Sequence, residues 1–144
     1  MKLSRRRSTT TAALASVTAL AALGGLFATA APASAASNSR AEDLCGPGYK
    51  TVATTAVGSV GRIYVTWSEA EGKTCAVTLR NSTGPRTQIR IELNVIADHE
   101  TTSVQDADRY LSYAGPVYYP SRGYCVQWFG AINGVQGSGT GVCN

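Results

Sequence analysis

Residues 87–97 read TQIRIELNVIA, with Ile89, Ile91, Leu93 and Val95 alternating against Gln88, Arg90, Glu92 and Asn94. A period of two places the aliphatic set on one face of an extended strand and the polar set on the other. One face is dry and the other wet, which is the arrangement of an antiparallel sheet packed on one side only. The rest of the chain has to supply the partner strands and the second layer that covers the dry face.

Two further stretches supply hairpins. In GRIYVTWSEAEGKTCAVTLR (residues 61–80), Ile63, Val65 and Trp67 alternate with polar neighbours, and so do Cys75, Val77 and Leu79. A three-residue loop, Ala70-Glu71-Gly72, pairs Trp67 with Cys75, Val65 with Val77 and Ile63 with Leu79 and keeps one face apolar, with Gly72 left-handed. This register predicts Trp67 buried beside a disulfide. Near the C-terminus, Asn133-Gly134 lies between CVQWFGAI and VQGSGTGVC and fits a type I′ turn. That turn pairs Ile132 with Val135 and Trp128 with Gly139, so the indole has room to lie across the neighbouring strand and pack in the core. Cys143 falls one residue out of register with Cys125, an offset that a bulge in residues 137–141 absorbs.

The N-terminal stretch and the cysteines fix the compartment. Lys2 and Arg5 to Arg7 precede an uncharged, mildly apolar run that ends at Ala33-Ser34-Ala35, so residues 1–35 read as a secretory signal peptide and no transmembrane segment is expected in the mature form. Residues 36–44 are small and polar and read as a flexible lead-in, followed by a domain over 45–143. Four of the thirteen Lys and Arg residues leave with the signal, and the nine acids stay, so the formal charge of +4 belongs to the discarded segment. No basic stripe remains, and nucleic acid is not an expected partner. Cys45, Cys75, Cys125 and Cys143 form an even set in an exported chain and read as two disulfides. The C-terminal register favours Cys125 with Cys143, which leaves Cys45 with Cys75. Together these features predict an all-β fold, a small antiparallel sandwich or barrel-like domain of about six to seven strands. The polar stretch 98–109 is expected to include a short helix starting near Ser103, and residues 116–120 are expected to form an irregular connection.

Candidate chemistry is sparse. The single histidine, His99, stands in DHE with Asp106 and Asp108 a few residues on, but the spacing fits no EF-hand loop and no nucleophile-elbow sequence accompanies it. No Cys/His cluster suggests zinc, so no metal, cofactor or catalytic residue is assigned. Glu92, beside Arg90, is the most structured acid and reads as a surface ion pair rather than half of a glycosidase dyad. Asn81-Ser82-Thr83 matches the weak glycosylation pattern. Arg86 in STGPRTQ follows a Gly-Pro pair and is where a protease inhibitor would carry its reactive residue, although a plain hairpin turn is the simpler reading. The stretch YAGPVYYPSRGYCVQW leaves Tyr118, Tyr119 and Tyr124 as the expected surface for stacking on a ligand or partner.

The segments CGPGYK (45–50), GKTCAVTL (72–79), YAGPV (113–117) and GYCVQW (123–128), with a cysteine next to the C-terminus, resemble the spore-associated protein A family of Streptomyces and related actinomycetes. The resemblance implies a small secreted protein found with spores or the outer cell surface, and it carries over no catalytic residues. The expectation is therefore a non-enzymatic domain that contacts a spore-wall or cell-envelope component. A secreted protease inhibitor built on Arg86 is the alternative, and a small wall-polymer hydrolase comes third.

Overall fold

The computed structural model describes residues 33–97 and 100–144, so most of the expected signal peptide, and His99, lie outside the described residues. One helix, α1 (Ala33–Cys45), is followed by β1 (Lys50–Val57), β2 (Gly61–Ser68), β3 (Lys73–Arg80), β4 (Thr87–Ala97), β5 (Glu100–Tyr110), β6 (Tyr113–Pro120), β7 (Cys125–Ile132) and β8 (Val135–Cys143). The strands form two four-stranded antiparallel sheets of order β1-β2-β3-β6 and β5-β4-β7-β8. The all-β sandwich is as expected, with eight strands where six or seven were read. Among the described residues no helix is long and apolar enough to cross a membrane.

The alternation of residues 87–97 organises the core. Ile89, Ile91, Leu93 and Val95 are fully buried and meet Ile63, Val65, Ala76 and Val117 of the facing sheet, together with Val126, Trp128 and Ile132 of β7. Each fully buried aliphatic side chain contributes about 1.5–3 kcal/mol. Gly130 lets the sheets approach, since a Cβ there would lie 2.6 Å from both Ile63 Cγ1 and Thr78 Oγ1. The Thr78 hydroxyl donates across the sandwich to the Arg90 carbonyl at 2.9 Å.

The C-terminal hairpin has the expected register. Ile132 faces Val135 and Trp128 faces Gly139, and a bulge at Gly141, opposite Val126 and Gln127, brings Cys125 opposite Cys143. Asn133 and Gly134 have φ of 48° and 84°, as a type I′ turn requires. Both disulfides form as paired from the sequence, Cys45 with Cys75 and Cys125 with Cys143. Trp128 is 6% exposed and its Nε1 donates to Thr55 Oγ1 at 2.8 Å, which fixes the indole over β1.

The first hairpin departs from expectation by one residue. Ser68 pairs with Lys73, so the loop is the four residues 69–72, and Trp67 faces Thr74, Val65 faces Ala76 and Ile63 faces Thr78. Gly72 is left-handed, at φ 63°. The physical reason is that both faces of β2 and β3 are covered. Ile63 and Val65 point into the sandwich, while Tyr64, Cys75, Val77 and Leu79 form a second cluster with Ala41, Cys45 and Tyr49 beneath α1. An apolar residue on either face is therefore satisfied, and maximising one apolar face gives the wrong register. Trp67 is half-buried rather than packed beside a disulfide; its ring carries the Arg122 guanidinium 5.5 Å from its centroid, and its Nε1 donates to Glu69 at 3.0 Å.

Three other segments take different forms. Residues 36–44, read as a lead-in, lie within α1, whose Ala41 is fully buried and whose C-terminal Cys45 is stapled to β3. Residues 100–110 form a strand rather than a helix, because β4 offers a full-length ladder from Thr87–Tyr110 to Ala97–Glu100. Residues 116–120 belong to β6, which pairs with β3 around an irregularity between Ala76 and Thr78. Residues 81–86, finally, are not a hairpin turn but cross from β3 in one sheet to β4 in the other.

Candidate functional site

The tyrosines expected to form one surface are separated by strand parity. Tyr118 and Tyr119 are consecutive on β6 and pair with Cys75 and Thr74, so their side chains leave opposite faces of the sheet. Tyr119 packs against the sandwich core. Tyr118 is 40% exposed, meets the Tyr49 ring edge-on at 5.6 Å and donates its hydroxyl to the Cys45 carbonyl at 2.9 Å. Desolvation raises its pKa. This ring therefore braces the end of α1. Tyr124 is 37% exposed in the turn before β7, where its amide donates to the Ser121 carbonyl.

The structured acids are engaged in the fold. Glu92 pairs with Arg90, whose guanidinium also donates to Gln105 Oε1 at 2.9 Å and lies 5.4 Å from the Phe129 ring centroid. Asp106 accepts from the Tyr110 hydroxyl at 2.5 Å and from the Gly115 amide at 2.7 Å, tying β5 to β6. The Asp106 hydrogen bond, more than burial, pushes the Tyr110 phenol up to about 12. Glu42 of α1 accepts from the Thr51 amide at 2.9 Å and from Lys50 Nζ at 3.1 Å, and these bonds, the amide first, hold its carboxyl below the usual range. Glu69 is lowered first by its bond from Arg122. Among the described residues no three His, Cys, Asp or Glu side chains gather as metal ligands would.

Arg86 is tied down at both ends. Its Nη1 donates to the Arg109 carbonyl at 3.0 Å, and Arg109 Nη2 donates to the Arg86 carbonyl at 3.0 Å. The Asn81 amide nitrogen donates to the Ser59 carbonyl at 2.8 Å.

What sequence reasoning missed is the lateral extent of the wet face. Strand order places three cross-strand rows on the outside of the second sheet: Ala107–Arg90–Ala131–Gln136, Gln105–Glu92–Phe129–Ser138 and Ser103–Asn94–Gln127–Thr140. Next to the last row lies the Cys125–Cys143 disulfide. A cleft of about 320 Å³ opens there, lined by Asn94, Gln127, Phe129, Ser138 and Thr140 with Trp128 and Gly139 beneath. The polar half of the 87–97 alternation signals the β4 part of this face. The contributions of β5, β7 and β8 follow from the sheet order, which no local pattern reveals.

The fold and its surfaces thus define a disulfide-stapled β-sandwich whose structured acids serve the scaffold. The chain belongs to the spore-associated protein A family: it is 40% identical over 127 residues to Spore-associated protein A of Streptomyces coelicolor, covering 85% of this chain and 80% of that protein. No protein-family model matches the chain, and no solved structure matches it.

Proposed function

We propose that the mature chain is a non-enzymatic secreted domain that attaches to the spore or outer cell surface through a wall component. The observation that carries this reading is the 40% identity to a spore-associated protein over most of both chains. The engagement of Glu42, Glu92 and Asp106 in structural hydrogen bonds supports the absence of a hydrolytic dyad, since a catalytic carboxylate has to face a second across a substrate cleft. The Arg86 clasp weighs against the inhibitor alternative. A reactive-site residue presents its side chain and carbonyl to the protease, and here both are already bonded within the chain.

The test is fractionation. Mature protein added to isolated spores and to vegetative cell walls should sediment with at least one of them, and leave peptidoglycan turbidity unchanged on prolonged incubation. Protein that stays in the supernatant with both, or that clears the wall suspension, overturns the proposal.

A further inference from the structure

The two sheets of the sandwich differ on their outer faces. That of β1-β2-β3-β6 is covered by α1, which buries Tyr64, Cys75 and Val77. That of β5-β4-β7-β8 has no covering element among the described residues, and Ser103, Gln105, Gln127, Ser138 and Thr140 are all exposed along it. We infer that this face, centred on Asn94, Gln127, Phe129, Ser138 and Thr140, is a binding site for an uncharged, hydroxyl-rich polysaccharide chain. The inference rests on the surface-attachment reading above and names its site and ligand class.

The chemistry of the side chains selects the ligand. Amides and hydroxyls both donate and accept, so a row of them matches a sugar edge, whose hydroxyls do the same. The one charged pair in the three rows, Arg90 with Glu92, is closed on itself, and Arg109, in the next row opposite Gln88, donates to the Arg86 carbonyl at the far end. The part of the face centred on Asn94 and Gln127 therefore has no net charge to attract an anionic polymer or nucleic acid. Protein interfaces favour aromatic residues, Met and Arg at their centre and are poor in Ser, which fits this surface badly. A lipid surface needs a broadly apolar face, and here the large apolar side chains are only Phe129 within the rows and Ile96 beside Cys125 at their end, set among amides and hydroxyls.

Geometry agrees with the chemistry. Adjacent strands lie about 4.8 Å apart, comparable with the length of one pyranose unit, so a glycan laid across β4, β7 and β8 meets successive side chains of a row. The Phe129 ring, with the Arg90 guanidinium stacked on it, stands as a wall beside the cleft. The cleft volume of about 320 Å³ falls at the lower end of the range for small-molecule sites, about 300–1,000 Å³.

The experiment measures retention of the mature protein on chitin, on microcrystalline cellulose and on peptidoglycan stripped of anionic polymers, with intact spores and unstripped walls in parallel. Binding to chitin or cellulose, the uncharged polymers, is expected, with stripped peptidoglycan, whose stem peptides keep their carboxylates, counted with the walls. The variant Gln127→Ala/Thr140→Ala, which alters exposed side chains only, should bind that polymer at least about tenfold more weakly, the loss of two hydrogen-bonding groups. Tyr118→Ala, on the other sheet, should bind as the parent does. Equal binding by the double variant, or loss in Tyr118→Ala alone, overturns the site while leaving surface attachment standing. Binding to spores or walls but to no neutral polymer overturns the ligand class. Binding to nothing overturns both this inference and the reading on which it rests.

Discussion

Gly139→Ala tests whether the glycine opposite Trp128 is what admits the indole to the core. A Cβ at residue 139 would lie 2.4 Å from Trp128 Cζ2 and 2.5 Å from Cε2, distances no real contact sustains. The ring is 6% exposed and held by its hydrogen bond to Thr55 at 2.8 Å, so it cannot yield by swinging into solvent. Overpacking of this kind costs about 1–3 kcal/mol, and displacing Nε1 from Thr55 adds about 1 kcal/mol. The expected loss is therefore about 2–4 kcal/mol, read from denaturant unfolding with both disulfides intact. Relieving the clash should recover part of it: in a Trp128→Phe background, where the ring is smaller, Gly139→Ala should cost clearly less, and the cycle should show a coupling of at least about 1 kcal/mol. A cost within about 0.5 kcal/mol of zero, or the same cost in both backgrounds, would refute the steric argument and place the indole elsewhere.

Removing Cys125–Cys143 by a double Ala substitution should lower stability by about 3 kcal/mol and removing Cys45–Cys75 by slightly more, because sequence separations of 18 and 30 set the loop entropy each bridge removes; unchanged urea midpoints would contradict this. Glu42 has a depressed folded pKa, so its contribution is fully present above the ordinary carboxylate range and is lost as pH falls through the folded value. The stability gap between the parent and Glu42→Gln should accordingly be open at neutral pH and close in acid, and a gap that widens on acidification would reverse the assignment. The Tyr49 and Tyr110 phenols, both pushed up to about 12, should remain protonated when tyrosines at the ordinary value of about 10 have ionised. Ultraviolet titration of tyrosinate should show a late phase that Asp106→Asn diminishes, and a single phase near 10 would contradict it.

The parts of this fold legible in the sequence are those where local chemistry and tertiary demand coincide. For β4 the alternation sufficed, because one face really is core and the other solvent. For β7 and β8 an Asn-Gly turn fixed the register, and the register then placed the cysteines. The first hairpin failed because α1 supplies a second apolar surroundings that parity alone cannot reveal, and because Thr66, Thr74 and Thr78, polar by type, are fully buried. Their hydroxyls are satisfied by Cys75 O, Ser121 Oγ and Arg90 O, which removes the cost of burial. The strand character of β5 was hidden for a different reason: as an edge strand it is mostly exposed, and it is held by the ladder to β4 rather than by a hydrophobic pattern of its own. The tyrosine surface rests on reading residues 116–120 as an irregular connection that leaves at least one ring exposed; the segment is instead a strand in which adjacent side chains diverge, so Tyr118 is exposed while Tyr119 packs against the core.

The disulfides acquire a functional meaning from where they sit. Cys45–Cys75 fixes α1 over one sheet and so decides which outer face is closed. Cys125–Cys143 lies on the other outer face, at the end of β7 and β8, where the glycine-rich strand 135–143 has little side-chain packing to hold it in place. Gly137 approaches so closely that a Cβ would lie 2.4 Å from the Ala56 carbonyl, so β8 is held against β1 by backbone proximity rather than by interlocking side chains. A strand of that composition has high chain entropy when unpaired, and the bridge limits that freedom at the end where Ser138 and Thr140 must stay in row with Phe129 and Gln127. On the proposed reading, the second disulfide therefore preserves the spacing of a binding face as well as the stability of the domain. On the same reading, an exported domain keeps that spacing by covalent means, because no cellular reductant is present to open the bridge.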